Sequence, residues 1–208
     1  MRPAEAAARG LGRGGLVATE FALLAPLFFL VALASADLVR LFRAQLRVET
    51  IAVQIGQIVS QCRAITTAGD RDNFWAHAQR IAGGVVDVNS ATGGAIVISA
   101  VGRNTGSGGA TNRLSWQMRT GNVSPPSRVG TAVGGTATVT DGFVVPTNQT
   151  LLVVEVFAIV QPFPLSAGLI GRVLPSAIYG TTLFLSRAPD PSTLQTAPRN
   201  SATPDCTA

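Results

Sequence analysis

A long apolar stretch lies near the start of the chain. Residues 16–36 read LVATEFALLAPLFFLVALASA and include one charged side chain, that of Glu20. In a helix, these 21 residues would extend about 31 Å at 1.5 Å per residue, close to the thickness of a bilayer's hydrocarbon core. A buried helix of a soluble domain is rarely apolar on every side for this length. The pattern therefore predicts a transmembrane helix over residues 16–36.

The helical periodicity continues through residues 37–61. One row of positions recurs every three or four residues and is mostly apolar: Leu38, Leu41, Gln45, Val48, Ala52, Ile55, Val59 and Cys62. A second row on the opposite face is polar: Arg40, Arg43, Arg47, Thr50, Gln54, Gln57 and Gln61. The two rows predict an amphipathic extension of the same helix. Its narrow apolar seam is expected to pack on its own domain, on neighbouring subunits or on both.

Residues 62–92 are interpreted as a linker with one short helix. Asp70 is expected to cap a helix over residues 71–82, and Gly83-Gly84 is expected to end it. The apolar face of this helix is predicted to contain Phe74, Ala78 and Ile81.

Residues 93–187 show the period of two that is typical of β-strands. Strands are predicted over 95–101, 113–119, 151–160 and 178–185, with a hairpin at Asp141-Gly142 inside 136–145 and chain breaks at Pro162 and Pro164. The fold class is therefore α+β: a long transmembrane and amphipathic helix, then a small antiparallel sheet of three to five strands that this helix partly covers. The tail, residues 188–208, is rich in Pro, Ser and Thr and is expected to be ordered only if Cys206 is bridged.

Composition and charge narrow the range of functions. Only 13% of the residues are charged, against about 25% in an ordinary soluble domain. The net charge is +5, but the arginines are dispersed and do not alternate with aromatic residues, which argues against nucleic-acid binding. The single histidine, His77, belongs to no catalytic motif, so we expect no enzyme activity, no cofactor and no metal.

The two cysteines, Cys62 and Cys206, fit no metal-binding spacing. In an oxidising compartment they would form a disulfide between the end of the long helix and the tail. The alternative, two unpaired thiols, remains open from the sequence.

Residues 1–15, MRPAEAAARGLGRGG, are short and basic and are interpreted as a leader. Gly15 precedes the apolar stretch, and Glu20 follows it by five positions, a spacing that resembles the prepilin processing motif. Cleavage after Gly15 would give Leu16 a new α-amino group. The Glu20 carboxylate of one subunit could then neutralise the amine of its neighbour. The alternative is a lone carboxylate at a helix start, stabilised by the helix dipole.

The segment GGLVATEFALLAPLFFLVALASADLVRLF resembles the N-terminus of TadE-like proteins, minor pseudopilins of the tight-adherence (Tad) pilus system. The resemblance extends over about residues 14–48. It is carried by Gly15, the Glu20-Phe21-Ala22-Leu23 run, Pro26, Asp37 and Arg40, with Asp37 where a glutamate is more usual. Pro26 is expected to kink the helix because it removes one helical hydrogen bond.

This resemblance implies a location and a set of partners. It implies a single-pass protein of the bacterial inner membrane, with a cytoplasmic N-terminus and a periplasmic C-terminal domain. Its partners would be a prepilin peptidase, other pilin and pseudopilin subunits and the pilus assembly machinery. The alternative is a signal-anchored periplasmic binding module with no pilus role.

Overall fold

The computed structural model describes residues 11–104, 111–161, 175 and 177–206, with side chains from residue 18 onward except that of residue 141. Its helices and strands are α1 Leu11–Gln61, α2 Gly69–Ala82, β1 Ala95–Asn104, β2 Thr111–Gly121, β3 Leu151–Ile159 and β4 Ala177–Leu185. The predicted α+β class is confirmed: a long N-terminal helix precedes a small antiparallel sheet.

The described residues fall into two compact units. The first contains residues 11–41 with 161 and 175, so most of it is the apolar part of α1. The second contains residues 42–104, 111–160 and 177–206, and it includes the last part of α1, helix α2 and all four strands.

The sheet has the strand order β2-β1-β3-β4, and every neighbouring pair is antiparallel. The two inner strands are buried on both faces, as eight consecutive buried residues in each of β1 and β3 show. A β-bulge between Ala100 and Val101 shifts the register against β2. The predicted strands all exist, and β1 and β2 extend further than their sequence patterns indicated.

The last part of α1 packs on one face of the sheet, where two glycines allow close approach. A Cβ atom added to Gly56 would lie 2.7 Å from Cδ2 of Phe184 on β4. On the strand side, a Cβ atom added to Gly180 would lie 2.7 Å from Cγ1 of Val48 on α1. The helix backbone can therefore lie nearer to β4 than any larger residue would permit.

The apolar seam of α1 is confirmed in part. Val48, Ala52, Ile55, Val59 and Cys62 are fully buried. The prediction of the seam was wrong at the start of the extension, because Leu38 is 45% exposed and Gln45 is partly exposed. The Gln45 amide donates a hydrogen bond to Glu49 one turn along, so its polar group finds a partner on the helix surface.

The opposite face of the sheet is covered by an irregular segment, residues 122–147. Its apolar side chains join those of the strands in one buried cluster: Val101, Leu114, Val129, Ala137, Val139, Val145, Leu151 and Val153. The predicted hairpin at 136–145 was therefore wrong. Residues 140–142 form a single 3₁₀ turn, and Asn112 holds the segment by bonding Phe143 O and Val145 N at 2.6 and 2.8 Å.

Helix α2 begins at Gly69. The prediction that Asp70 caps this helix was wrong. Asp70 lies in the first turn, while the Thr66 hydroxyl accepts a hydrogen bond from the Asp70 backbone N–H at 3.1 Å. The helix ends at Ala82, and Gly83 caps it in the left-handed conformation, so the predicted end at Gly83-Gly84 is confirmed. Its buried face includes Phe74 and Ala78, but Trp75 is buried there and Ile81 is only partly buried.

The predicted chain breaks at Pro162 and Pro164 and the first ten residues of the expected leader lie outside the described residues.

Candidate functional site

The first part of α1 exposes a large apolar surface. Helix Ala18–Gln61 is long and apolar enough to cross a membrane, and its most apolar window has a mean hydropathy of 2.2. Seven large side chains before residue 32 are 51% to 79% exposed: Phe21, Leu23, Leu24, Leu27, Phe28, Phe29 and Val31. A contiguous apolar surface of this kind marks contact with lipid or with other apolar helices.

Glu20 lies within this apolar surface. Its side chain is exposed, between Phe21 and Leu23, which are 71% and 79% exposed. No hydrogen bond or ion pair among the described residues reaches its carboxylate. A carboxylate inside lipid is costly unless a cation lies close to it.

Gly15 and Leu16 both lie inside α1, which begins at Leu11. Leu16 and Glu20 are four residues apart on this helix and therefore lie on the same face, one turn from each other. A chain that started at Leu16 would bring its α-amino group to the same end of the helix as Glu20. The side chain of Leu16 is outside the described residues.

Pro26 lies inside α1 and is exposed. Its ring nitrogen has no hydrogen to donate to the carbonyl of Ala22, four residues earlier. The helix is nevertheless continuous from Leu11 to Gln61. The kink expected at Pro26 stays a prediction.

Asp37 and Arg40 form an ion pair directly after the apolar stretch. Arg40 Nη1 lies 3.9 Å from Asp37 Oδ1, and the Asp37 side chain is almost fully buried while that of Arg40 is half-exposed. Both residues belong to the pattern that resembles TadE-like proteins. The pair places a cation beside a buried carboxylate, which would otherwise be costly to bury.

A disulfide joins Cys62, which follows the end of α1, to Cys206 in the tail, with Cα atoms 4.6 Å apart. Of the two states considered for these cysteines, the structure contains the bonded one. The tail is ordered along its described length: Thr67 and Gly69 each donate a backbone hydrogen bond of 2.8 Å to it, at Arg199 and Ser201.

The buried Asp70 carboxylate holds the tail next to the disulfide. It accepts hydrogen bonds from the backbone N–H groups of Asp205 and Cys206 at 2.9 and 3.1 Å, and from Thr66 N at 2.8 Å. Bonds to an ionised acceptor are stronger than neutral ones. The residue expected to cap a helix therefore acts as a long-range clamp on the C-terminal segment.

Sequence reasoning missed Glu155, a fully buried carboxylate in the middle of β3. It accepts hydrogen bonds from the Ser127 hydroxyl, from Arg128 N at 2.8 Å and from the Tyr179 hydroxyl at 3.1 Å. The Arg128 guanidinium carbon lies 3.7 Å from the centre of the Tyr179 ring. The sequence did contain a signal for this residue, a single charge in an otherwise apolar strand. A buried carboxylate is retained only with hydrogen-bonding partners, so such a charge indicates a polar cluster.

Burial around Glu155 shifts the pKa values of two ionisable neighbours, Tyr179 and Arg119. Desolvation raises the pKa of Tyr179, and the negative charge of Glu155 raises it further. Desolvation lowers the pKa of Arg119, and the attraction of Glu155 opposes this shift. Because every donor on the carboxylate comes from the covering segment or from β4, the cluster fastens that segment to the sheet.

Within the described ranges, no group of three His, Cys, Asp or Glu side chains is placed to hold a metal ion. His77 is partly buried on α2, in an open groove with Asn73 and Arg80.

Comparison with known proteins bears on α1. A family model described as TadE-like protein matches residues 15–56. The match begins at Gly15 and includes the apolar stretch and most of the amphipathic extension. It confirms the resemblance and is consistent with a TadE-like protein of the Tad pilus system. No curated protein and no solved structure shows significant similarity to the chain.

Proposed function

We propose that this chain, with its TadE-like region at residues 15–56, is a membrane-anchored pilin-like subunit that acts in the assembly of a Tad-type pilus. In this proposal it is a structural or assembly protein and not an enzyme. The observation that carries the proposal is the exposed Glu20, five positions after Gly15 on an apolar helix.

The anchor and the carboxylate have one explanation in this proposal. A prepilin peptidase removes residues 1–15, and Leu16 becomes the N-terminus. The exposed apolar side chains of α1 then contact lipid before assembly and other subunits' helices afterwards. The new α-amino cation approaches Glu20 of a neighbouring subunit, which removes the energetic cost of a lone carboxylate in an apolar surface.

The disulfide supports a location outside the cytoplasm for the second unit. Disulfides persist in oxidising compartments such as the bacterial periplasm and are rare in the cytosol. The bond between Cys62 and Cys206 therefore favours an orientation with the N-terminus in the cytoplasm and the sheet in the periplasm.

N-terminal sequencing of the membrane-extracted protein tests the processing step. In cells with an active prepilin peptidase we expect the mature chain to begin at Leu16. Gly15→Leu should leave the full-length chain uncut, whereas Gly14→Leu, the adjacent glycine, is the matched control and should still be processed. A wild-type chain that still begins at Met1 in such cells contradicts the proposal.

Glu20→Ala separates anchoring from assembly. Because the change removes a charge from an apolar helix, the variant should remain in the membrane fraction. Because it also removes the proposed partner of the neighbouring α-amino cation, the variant should fail to support pilus formation. Glu49→Ala is the matched control, since Glu49 is an exposed glutamate on the same helix outside the apolar stretch. Normal pili in the Glu20→Ala strain would favour the signal-anchored binding module with no pilus role.

A further inference from the structure

The two edges of the sheet differ in how far they are covered. Strand β2 forms one edge, and the irregular segment that covers the sheet also pairs with it. The Leu114 N–H donates to the carbonyl of Gly135 at 2.9 Å, and the Leu114 carbonyl accepts a hydrogen bond from the Gly134 N–H at 2.7 Å. Strand β4 forms the other edge and has no such cover among the residues that the structure describes.

The hydrogen-bond pattern shows which backbone groups of β4 point outward. Directly after the strand, the Ser186 N–H donates to the carbonyl of Thr150 at 2.8 Å, in register with the pairing of β3 and β4. Successive residues of an antiparallel strand direct their backbone groups alternately toward one neighbour and away from it. Tyr179, Thr181 and Leu183 therefore direct their N–H and C=O groups away from β3. Within the described ranges, no backbone group bonds to them.

Strand β4 also lacks the features that usually protect an edge. Its sequence, AIYGTTLFL, contains no charged residue and no proline, and its pairing with β3 contains no bulge. Charges, prolines and bulges are the common means by which proteins prevent a further strand from pairing. Leu183 and Leu185 are 39% and 41% exposed. The outer edge of β4 is therefore open to another extended chain.

A cavity lies beside this edge, on the face of β4 that carries Tyr179, Thr181 and Leu183. It has a volume of about 180 Å³, and Arg128 and Thr140 of the covering segment also line it. We call it the edge cavity.

The position of Arg128 in the edge cavity is well defined. Its guanidinium carbon lies 3.7 Å from the centre of the Tyr179 ring. Its backbone N–H donates to the buried Glu155 carboxylate at 2.8 Å. The cation is therefore held over the aromatic ring next to the open edge.

The Arg128 guanidinium retains its donors for a ligand. It makes no hydrogen bond or ion pair in the part of the chain that the structure describes, and no acidic residue lines the edge cavity. Glu155 is fully buried, and its carboxylate accepts hydrogen bonds from Ser127, Tyr179 and the Arg128 backbone. A guanidinium has five donors in a fork that matches a carboxylate, so the edge cavity is complementary to an acidic side chain.

We propose that β4 and the edge cavity bind an extended segment of a partner protein that carries an acidic residue. The segment pairs antiparallel with β4 and bonds to the outward backbone groups of Tyr179, Thr181 and Leu183. Its aspartate or glutamate side chain lies on the cavity face and binds Arg128. An apolar side chain two positions away packs on Leu183. This proposal is independent of the membrane anchor and of a role in a pilus.

The test measures peptide binding to the detergent-solubilised full-length chain by fluorescence anisotropy. The probe is a labelled, capped peptide in which threonines alternate with valine, glutamate and valine, so that these three side chains share one face. A second probe has glutamine in place of glutamate. A hydrogen bond to a charged group contributes enough free energy for about a tenfold gain in affinity, so the glutamate peptide should bind about tenfold more tightly. Equal affinity, or no binding of either peptide, would overturn the proposal.

Arg128→Gln should remove this preference. The glutamate peptide should bind about tenfold more weakly than to the wild type, and the glutamine peptide should bind as before. The anchoring bond to Glu155 comes from the Arg128 backbone and remains in the variant. Arg63→Gln is the matched control, because Arg63 is exposed, lies outside the edge cavity and changes the net charge equally. An equal loss in both variants contradicts the site.

Methylated peptides test the strand pairing without any change in the protein. In the antiparallel arrangement, the residues whose side chains lie on the cavity face direct their N–H groups toward β4. N-methylation of the valines and the glutamate should therefore abolish binding, whereas N-methylation of the inner threonines should be tolerated. Any other pattern overturns the antiparallel pairing. Light scattering gives the last outcome: a wild-type dimer that binds neither peptide means that a second copy covers β4, which refutes the acidic partner.

Discussion

Removal of the disulfide is expected to destabilise the second unit strongly. The cysteines are separated by 144 positions in sequence. In the chain-entropy model, a cross-link over a loop of this length restricts the unfolded chain enough to stabilise the folded state by about 5 kcal/mol. The double substitution of Cys62→Ser and Cys206→Ser should therefore lower the free energy of unfolding by about 2–5 kcal/mol, the range usual for native disulfides.

The tail should stay docked in the double variant. The Asp70 carboxylate would still accept hydrogen bonds from the backbone of Asp205 and Cys206, and each such bond contributes about 1.5–3 kcal/mol to stability. These bonds act in the folded state and do not restrict the unfolded chain. They can therefore hold the folded variant together without replacing the disulfide's effect.

Tryptophan fluorescence during chemical denaturation measures this effect. Trp75 and Trp116 both contribute to the emission. The Trp116 indole N–H donates to the carbonyl of Leu194 in the tail at 2.6 Å, so the signal reports tail release as well as unfolding. The wild type treated with a thiol reductant is the control and should match the double variant. A loss below about 1 kcal/mol would refute the reasoning, because a constrained loop of this length cannot contribute so little in the chain-entropy model.

Three further predictions concern packing and ionisation. Gly56→Ala should lower the free energy of unfolding by up to about 2 kcal/mol. Overpacking against Phe184 costs about 1–3 kcal/mol, and the gain in helix propensity offsets about 1 kcal/mol of it. A denaturation midpoint above that of the wild type would contradict this. Tyr179 is the single tyrosine, so tyrosinate absorbance should show a native pKa above 10.0 that returns toward 10.0 on denaturation. A raised pKa stabilises the fold below pH 10 and this contribution is lost as the pH rises through the native value. The Ser90 hydroxyl and two backbone N–H groups lower the pKa of Asp87 below 3.8. The ionised Asp87 therefore stabilises the fold above about pH 4, and this contribution is lost as the pH falls through the native pKa. In acid titrations, Asp87→Asn should lose less stability than the wild type.

The sequence predicted those elements that have a strong periodicity. The apolar stretch before Ala36 and the alternation of Leu114, Trp116 and Met118 each have one plausible secondary structure, because a period of 3.6 or of 2 must match the buried face. The prediction that Leu38 and Gln45 belong to the buried seam was wrong. Successive residues of a helix are only about 100° apart around its axis, and the sequence does not indicate which row of residues meets the sheet.

The long-range partners could not be predicted. Asp70 fits a helix cap by its local pattern, but its carboxylate accepts from amides 135 and 136 positions away. Gly56 reads as a weak point of a helix, yet its role is defined by Phe184 on a strand more than a hundred residues later. Residues 122–147 have no periodicity, because they cover the sheet with an irregular backbone that Asn112 and Glu155 hold in place.

The link between α1 and the tail also determines how the second unit carries mechanical load. Cys62 directly follows Gln61, the last residue of α1, and Cys206 is its covalent partner. Tension applied between the helix and the C-terminal segment passes through this bond and leaves the 144-position loop unstretched. Reduction would release roughly 490 Å of extensible chain at about 3.4 Å per residue. The oxidised unit therefore transmits a pull as a short stiff connection, and the reduced unit would yield to the same pull by unravelling.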